Sequence, residues 1–248
     1  MICGVVCAFV STYSSAMKIR AAGFAAILFL IAVAAGLCPS TALSAEPRPK
    51  VLILGDSISI GYTPEVRKLL AEVADVQRPA ENCQHTAHGL NRIKGWLGTN
   101  KWDVIHFNWG IWDTHFLDEK GQLVRNETAA AGPLHIRHTP EQYRTNLVKL
   151  INALEATGAR LVWASTTPIM SRTGKRFDDI KALNTVAAEV MRARRIAIND
   201  LYEFTLPHVA EWQSGDKVHF NTTGNQNLGQ RVAESIRAAL KAPAAAKL

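Results

Sequence analysis

The alternation of short apolar runs with longer amphipathic segments constrains this sequence more than any other feature. The apolar run at 51–54 is typical of a buried strand, and further strands are predicted at 75–78, 102–107, 160–164 and 195–198. Helical spacing of apolar residues predicts helices at 64–74, 91–97, 139–156, 176–194 and 223–240. Thr63 is the expected cap of the first helix and Thr139 the expected cap of the third. Strands that alternate with helices predict one three-layer α/β domain, with a parallel sheet of about five strands covered on both faces.

The N-terminus differs from the rest of the chain. Lys18 and Arg20 precede an apolar run at 21–37, and small residues then lead to Glu46. A basic start, an apolar run and a small-residue exit predict a secretory signal. We therefore expect the protein to be exported, to the periplasm or to the medium.

The signal also defines the expected domain boundaries. Cleavage after Ala42 or Ala45 would separate an N-terminal extension and signal peptide, residues 1–45, from a single folded domain, residues 46–248. Two alternatives stay open at this point. An uncleaved signal would anchor the protein in the membrane, and Cys38 could carry a lipid, although the bulky residue before it disfavours this. Apart from an uncleaved signal, no membrane partner is expected.

Charge and cysteine content exclude several classes of protein. Of the 28 Lys+Arg and 21 Asp+Glu, removal of residues 1–45 takes two basic residues and no acidic one, so the formal net charge falls from +7 to +5. The basic residues lack an aromatic platform beside them, so no nucleic-acid partner is expected. Cys83 is the one cysteine that lies after residue 45, so the folded domain cannot form an internal disulfide, and a cysteine-type zinc site is disfavoured.

A polar turn follows the first predicted strand, where parallel sheets place their sites. The sequence Gly55-Asp56-Ser57-Ile58-Ser59 connects a buried strand to a helix. Such a turn presents the Ser57 hydroxyl at the sheet edge, and the helix N-terminus favours negative charge that develops there. Taken alone, the pattern is also explained by an ordinary turn and helix cap.

A second polar loop lies near the C-terminus, before the last predicted helix. Asp216 and His219 are three residues apart and can therefore touch on one short loop. A serine hydroxyl needs a base to remove its proton, and histidine is the usual one. A carboxylate fixes the imidazole tautomer and stabilises its charged form. An Asp-x-x-His pair is common by itself, so the two loops have to be considered together.

Together, the two ends of the chain resemble the SGNH (GDSL-like) hydrolases, a family of esterases and lipases. The family's first block, a strand followed by Gly-Asp-Ser and a helix, is similar to residues 51–59. Its last block, Asp-x-x-His before a glycine-containing helix start, is similar to residues 216–229. The resemblance implies a flavodoxin-like α/β/α sandwich with Ser57 as nucleophile, His219 as base and Asp216 as the residue that orients His219.

The resemblance also implies an oxyanion hole with three donors. The first is the backbone N–H of Ser57, and Gly89 is the candidate for the glycine N–H that follows the second strand. The third donor is an asparagine in the family's Gly-x-Asn-Asp block, where this chain has Trp112. Asn108 lies just upstream and is preferred as the third donor, while Trp112 remains the alternative. Loss of one such donor reduces the rate by about 10²–10³-fold.

A long irregular stretch, residues 114–138, follows the third predicted strand on the side expected to carry the site. Trp112 and His115 lie near its start and are the candidate substrate-binding residues, since aromatic side chains stack on sugar rings or line acyl pockets. Hydrophobic packing under the loop explains them equally well. None of the eight histidines has the spacing of a metal motif such as His-Glu-x-x-His, so no metal is expected.

The sequence therefore predicts an exported serine esterase that hydrolyses small-molecule or carbohydrate esters through an acyl-enzyme on Ser57, without a cofactor. Acetyl groups on carbohydrate are one substrate class that the family resemblance suggests. Because the asparagine block is altered, a catalytically degenerate carbohydrate-binding protein of the same fold is the alternative. The sequence carries no indication of an oligomeric state.

Overall fold

The computed structural model of the chain describes residues 47–124, 132–170 and 174–242. In chain order, its strands are β1 (Lys50–Leu54), β2 (Asp75–Gln77), β3 (Val104–Phe107), β4 (Phe116–Leu117), β5 (His135–Ile136), β6 (Arg160–Ala164) and β7 (Ala197–Asn199). Its α-helices are α1 (Ser57–Leu70), α2 (Thr86–Leu97), α3 (Pro140–Glu155), α4 (Gly174–Arg194), α5 (Leu201–Thr205), α6 (Val209–Trp212) and α7 (Thr222–Lys241). Short 3₁₀ turns span Ile111–Thr114 and Leu206–His208.

The central sheet has the spatial order β2-β1-β3-β6-β7, and all of its neighbouring pairs are parallel. When the strands are numbered within the sheet, this is the flavodoxin-like order 2-1-3-4-5. The strand order reverses between β1 and β3, because β2 lies on one side of β1 and all later strands lie on the other. Ligand sites in such sheets lie beyond the carboxyl ends of the strands at that switch point. The structure confirms the predicted parallel sheet and places the loops after β1 and β3 at the switch point.

Side chains of β1 alternate between the two faces of the sheet, as successive residues of a strand must. Val51 and Ile53 pack in the core that includes buried residues of α1 and α7. Leu52 and Leu54 pack in the opposite core, with buried residues of α2, α3 and α4. Both faces of the sheet are therefore covered, which confirms the three-layer α/β/α sandwich.

The first helix begins earlier than the sequence predicts. α1 starts at Ser57, with Asp56 as its N-cap, and Pro64 lies inside it, whereas the sequence pattern predicts a start at Pro64 with Thr63 as the cap. Proline favours helix starts because it lacks an N–H donor. Here Ile58 and Tyr62 are buried against the core, and this packing holds the turns before the proline in the helix. As a consequence, Ser57 is the first residue of a helix.

The second helix begins five residues before its predicted start, at Thr86, and β7 is shifted toward the C-terminus relative to the predicted 195–198. In contrast, α3 closely matches its prediction. Thr139 caps it in a capping box with Gln142, and Pro140 occupies the first turn. The capping signal in the sequence thus located the start of α3. Apolar spacing alone did not locate the start of α2.

Part of the long stretch at 114–138 is ordered into a small antiparallel pair. Phe116 of β4 pairs with Ile136 of β5, and Leu117 pairs with His135. Residues 125–131 lie outside the described part of the chain, as does the predicted signal within residues 1–46. In the ranges that the structure does describe, there is no helix that is long and apolar enough to span a bilayer.

The packing of α7 on α1 depends on Gly229, and this gives a testable prediction. A Cβ at Gly229 would lie 2.6 Å from Cβ of Glu65 and 3.1 Å from the carbonyl oxygen of Tyr62. Gly229→Ala is expected to reduce the free energy of unfolding by about 1–3 kcal/mol, because overpacking forces the helices apart. Gly95→Ala is the matched control: a Cβ there meets nothing within 4 Å, so that variant should be neutral or more stable by up to about 1 kcal/mol. Urea denaturation of both variants measures the difference, and equal stabilities would contradict the prediction.

Candidate active site

Ser57 stands at the junction between β1 and α1. The Asp56 carboxylate oxygen Oδ1 accepts a hydrogen bond from the Ile58 N–H at 2.9 Å and so fixes the first turn of α1. The first N–H groups of a helix have no acceptor within the helix. The backbone N–H of Ser57 is therefore available to an anion, in the positive field at the start of the helix.

A short loop after α6 carries the two other predicted catalytic residues. The Asp216 oxygen Oδ1 accepts hydrogen bonds from the Val218 N–H at 3.0 Å and from the His219 N–H at 2.9 Å. The Ser214 N–H donates to the His219 carbonyl at 2.7 Å, and Lys217 turns the loop with a positive φ of 59°. These local bonds hold Asp216 and His219 on the same side of the loop.

The structure brings the three predicted residues into one hydrogen-bonded chain. His219 Nε2 lies 2.9 Å from Oγ of Ser57, and His219 Nδ1 lies 2.5 Å from Oδ2 of Asp216. In the neutral tautomer that this arrangement requires, Nδ1–H donates to Asp216 and Nε2 accepts from the Ser57 hydroxyl. A base is thus in contact with the hydroxyl, and a carboxylate fixes the orientation of the base.

Asp216 is ionised throughout the neutral range. Partial burial raises its pKa, but the hydrogen bonds from the His219 ring and from the Val218 and His219 N–H groups outweigh burial and hold the pKa at about 2. A carboxylate that remains charged at neutral pH can stabilise the imidazolium that forms when His219 takes up a proton.

A cavity of about 280 Å³ adjoins the hydroxyl of Ser57. Ser57, Asp216 and His219 line it together with a second set of residues, Ile111, Trp112, His115, Leu123 and Val218. The rings of Trp112 and His115 lie 4.8 Å apart between centroids, at 53° to each other. Both predicted substrate-binding residues therefore lie on the wall of the cavity that contains the nucleophile.

A scan of protein-family models finds no match to this sequence, and a search of curated proteins finds none. Solved structures, in contrast, do match. The lipase/acylhydrolase from Enterococcus faecalis superposes with a TM-score of 0.62 at 24% identity, over 77% of this chain and 96% of that one. A member of the lipolytic protein G-D-S-L family from Veillonella parvula gives 0.57 at 18% identity, over 76% and 98%. The chain has the SGNH hydrolase fold. The acetyl xylan esterase AlAXEase also has this fold, with a TM-score of 0.60 at 14% identity, over 75% of this chain and 99% of that one.

Gly89 does not supply the second oxyanion donor that the sequence predicts within the SGNH fold. It lies inside α2, and its N–H donates to the His85 carbonyl at 3.0 Å. A Cβ at this position would lie 3.1 Å from the indole ring of Trp109. Gly89 is therefore required by close packing, and its N–H is already used by the helix.

Asn108 does not supply the third donor either. It follows β3 as predicted, but its side-chain amide donates to the Ala164 carbonyl at 2.8 Å and to Oγ1 of Thr166 at 2.9 Å. Both amide hydrogens are thus used to tie β3 to the loop after β6. The structure corrects this prediction: Asn108 joins two strands of the SGNH sheet and has no remaining donor for a substrate.

Gln84 is a residue near the site that sequence reasoning missed. It adopts a positive φ of 49° in the loop after β2. The preceding residue, Cys83, is buried as a free thiol and attaches this loop to the nucleophile turn through its N–H, which donates to the Gly55 carbonyl at 3.2 Å. A left-handed backbone is signalled in sequence by glycine or asparagine. Glutamine gives no such signal, so the turn could not be found from the sequence.

Asp113, directly after Trp112, connects three segments around the cavity. Its carboxylate is fully buried and accepts hydrogen bonds from the N–H of Thr86 at 3.1 and 3.2 Å, from Oγ1 of Thr86 at 2.5 Å, and from Nδ1 of His138 at 2.6 Å. Thr86 begins α2, and His138 ends the long stretch that begins after Asp113. The carboxylate therefore joins both ends of that stretch to the start of α2.

The histidines do not form a metal site in the described part of the chain. The rings of His85 and His138 lie 5.4 Å apart between centroids, and those of His85 and His88 lie 6.1 Å apart. Over residues 47–124, 132–170 and 174–242, no group of three His, Cys, Asp or Glu side chains is placed to hold a metal ion.

Asp56 gives a prediction for the pH dependence of stability. It is fully buried, its Oδ2 has no hydrogen-bond partner, and burial raises its pKa from 3.8 to about 6 despite the Ile58 N–H bond. The folded state therefore binds the proton more tightly than the unfolded state, so this contribution to stability is present below about pH 4 and is lost as the pH rises through about 6. A shift of this size corresponds to about 3 kcal/mol.

Asp56→Asn removes this titration but keeps an acceptor for the Ile58 N–H. Between about pH 4 and about pH 7, the wild-type protein is expected to lose about 3 kcal/mol of unfolding free energy relative to the variant. Urea denaturation of both proteins across this range measures the difference. Parallel stability profiles for the two proteins would contradict the prediction.

Proposed function

We propose that this protein is a serine esterase that hydrolyses acyl esters through an acyl-enzyme on Ser57. The observation that carries the proposal is the hydrogen-bonded chain Ser57–His219–Asp216, with its distances of 2.9 and 2.5 Å, at the wall of an open cavity. The fold shared with the Enterococcus faecalis lipase/acylhydrolase supports the same reaction class. No step in this chemistry uses a cofactor.

In the acylation step, Oγ of Ser57 attacks the ester carbonyl carbon while Nε2 of His219 removes the hydroxyl proton. The carbonyl π electrons move to the oxygen, and the backbone N–H of Ser57 stabilises the resulting oxyanion. Asp216 stabilises the imidazolium through Nδ1–H. Collapse of the intermediate expels the alcohol, which takes the proton from Nε2. Water activated by His219 then hydrolyses the acyl-enzyme by the same steps, releasing the acid and restoring Ser57.

Small acyl groups, and acetyl groups on carbohydrate in particular, are the substrates that we propose. A cavity of about 280 Å³ leaves room for a short acyl chain beside the nucleophile. The apolar side chains of Ile111, Leu123 and Val218 suit an acyl group, and the indole of Trp112 offers a surface for a sugar ring. The acetyl xylan esterase AlAXEase has the same fold, which supports a carbohydrate ester.

Covalent labelling by a fluorophosphonate probe, together with turnover of p-nitrophenyl acetate, tests the proposal. The wild-type protein should be labelled and active, and Ser57→Ala should lose both properties. Ser59→Ala is the matched control from the same turn and should keep both properties. The Ser59 hydroxyl donates to the Asp56 carbonyl at 2.7 Å, and Ser59 does not line the cavity that contains Ser57. A wild-type protein as inert as Ser57→Ala, across several acyl lengths, would favour the non-catalytic carbohydrate-binding alternative.

We also propose that residues 1–45 direct export and are then removed. The basic residues, the apolar run at 21–37 and the small residues before Glu46 support this proposal. N-terminal sequencing of the protein produced from the full-length gene should find a mature end after Ala42 or Ala45. An intact N-terminus in the cytoplasmic fraction would overturn it, and an intact one in the membrane fraction would support an anchor instead.

A further inference from the structure

An oxyanion at the Ser57 acyl carbon needs donors in addition to the Ser57 N–H, and most nearby groups are already used. In the loop after β2, the Gln84 N–H donates to the Asn82 side chain at 2.8 Å, and the Thr86 N–H donates to the buried carboxylate of Asp113. The side-chain amide of Asn108 is used twice within the fold. The remaining candidates for a second oxyanion donor therefore lie on the wall of the cavity.

Trp112 has such a donor on the wall of the same cavity as Ser57 and His219. Its indole Nε1–H has no hydrogen-bond acceptor among the residues that the structure describes, and it is not one of the buried unpartnered atoms, so it is open to the cavity or to solvent. The indole of Trp163, in contrast, is sealed in the core with an unpartnered Nε1. Oxyanion stabilisation requires an unused donor that faces the space next to the nucleophile, and Trp112 and Ser57 line the same cavity.

Hydrogen bonds fix the backbone turn that carries Trp112, and a neighbouring ring contacts the indole. Trp112 lies in the 3₁₀ turn Ile111–Thr114, where the Asp113 N–H donates to the Gly110 carbonyl at 2.9 Å. The Asp113 carboxylate is attached to Thr86 and His138, and the His115 ring lies against the indole at 4.8 Å. A donor held in place before reaction stabilises developing charge without the cost of reorganisation.

We propose that the indole N–H of Trp112 donates a hydrogen bond to the oxyanion and so acts as a catalytic residue of this esterase. The inference rests on the proposed function. As the Oγ–C bond of Ser57 forms and the π electrons move to the carbonyl oxygen, Nε1–H of Trp112 donates to that oxygen and keeps its proton. The proton of Ser57 goes to His219. When the intermediate collapses, the C=O bond re-forms and the Trp112 hydrogen bond weakens.

Trp112→Phe keeps an aromatic wall and removes the donor. We expect kcat for p-nitrophenyl acetate to fall by about 10²-fold, with KM changed by less than about threefold, because the interaction forms in the transition state. The inhibition constant of a trifluoromethyl ketone, whose hemiketal with Ser57 carries the oxyanion, should rise in parallel with the loss of kcat/KM.

Trp112→His and Trp112→Asn restore a donor and should recover part of kcat. Trp96→Phe is the matched control, because the Trp96 indole donates to Oε1 of Glu81 at 2.7 Å outside the cavity and should not affect turnover.

Each outcome decides for or against the inference. A raised KM with unchanged kcat in Trp112→Phe would show that the indole contributes to substrate binding and not to oxyanion stabilisation. Full activity of this variant would show that the indole contributes to neither. Both results overturn the proposal. Equal loss in the Phe, His and Asn variants, with lowered melting temperatures, would assign Trp112 to packing and overturn it too. Wild-type labelling and turnover that depend on Ser57 are measured in the same series, so failure of the proposed esterase function is recognised separately.

Discussion

Replacing His219 with alanine is expected to lower kcat for a small ester by about 10⁴- to 10⁶-fold, with little change in KM. His219 lies 2.9 Å from the Ser57 hydroxyl and is the base that this hydroxyl contacts, so its loss leaves the nucleophile protonated. The cavity walls are untouched, and ground-state binding should therefore survive. Steady-state kinetics with p-nitrophenyl acetate over a range of enzyme concentrations measures the residual rate.

The double variant Ser57→Ala/His219→Ala sharpens this prediction. Residues that act as one unit give non-additive losses, so the double variant should be about as slow as either single variant. His135→Ala is the control, because His135 is an exposed histidine at the edge of the β4–β5 pair. A loss in the double variant equal to the product of the two single losses would show that Ser57 and His219 act independently, against the hydrogen-bonded chain in the structure.

Asp216→Ala should have a smaller effect, of about 10⁴-fold, since the base remains but loses its orientation and charge stabilisation. Asp216 also accepts the N–H groups of Val218 and His219, so its removal loosens the loop that presents the imidazole. The losses of kcat should be larger for Ser57 and His219 than for Asp216. Ser57 and His219 exchange the reacting proton directly, whereas Asp216 contacts the other nitrogen of His219.

Local patterns placed Ser57 on a strand–helix turn and Asp216 within reach of His219, and the resemblance to the SGNH hydrolases joined the two loops into one predicted site. A buried strand, a polar turn and a helix place Ser57 at a sheet edge, and a spacing of three residues lets Asp216 reach both the backbone and the ring of His219. The parallel sheet was predictable for the same reason, since apolar runs and helical periodicity report burial directly. The distance between the two blocks in sequence is bridged by the topology of the sheet.

The oxyanion donors were not predictable, because residue type does not report whether a donor is already used. Gly89 is a glycine that follows the second strand in sequence, but it lies inside α2 and packs against Trp109. Asn108 carries the right side chain at the right strand end, but its amide ties β3 to Ala164 and Thr166. The Gly89 N–H is used because α2 begins at Thr86, before its predicted start, and the Asn108 amide is used by partners more than 50 residues away, which a pattern within one strand–loop segment does not contain.

Helix starts were predictable where a capping signal exists and not where packing decides. The capping box at Thr139 located α3, whereas the rule that proline begins a helix moved the predicted start of α1 from Ser57 to Pro64. The cluster around Asp113 was not foreseen for a related reason. Its partner His138 lies 25 residues further along the chain, and the contact exists only when the two ends of the intervening stretch come together.

The contacts of Asp113 predict the largest effect on stability. Asp113→Ala should lower the free energy of unfolding by about 3–5 kcal/mol, because it removes one member of a buried, hydrogen-bonded cluster and leaves the Thr86 and His138 donors without an acceptor. Urea denaturation followed by tryptophan fluorescence measures this loss. Asp118→Ala is the control, since the Asp118 carboxylate caps an exposed turn through the Lys120 and Gln122 N–H groups and its loss should change stability by less than about 1 kcal/mol.

A partner variant separates the cluster from the single side chain. His138→Ala removes the bond from His138 but leaves Asp113 with three bonds from Thr86, so it should be less destabilising than Asp113→Ala.

Asp113 directly follows Trp112, which gives a kinetic prediction. Asp113→Asn keeps an acceptor oxygen and should lower kcat more than it raises KM if the turn positions the indole donor. Asp113→Ala and Asp118→Ala of equal stability would show that the buried carboxylate does not hold this edge of the site together.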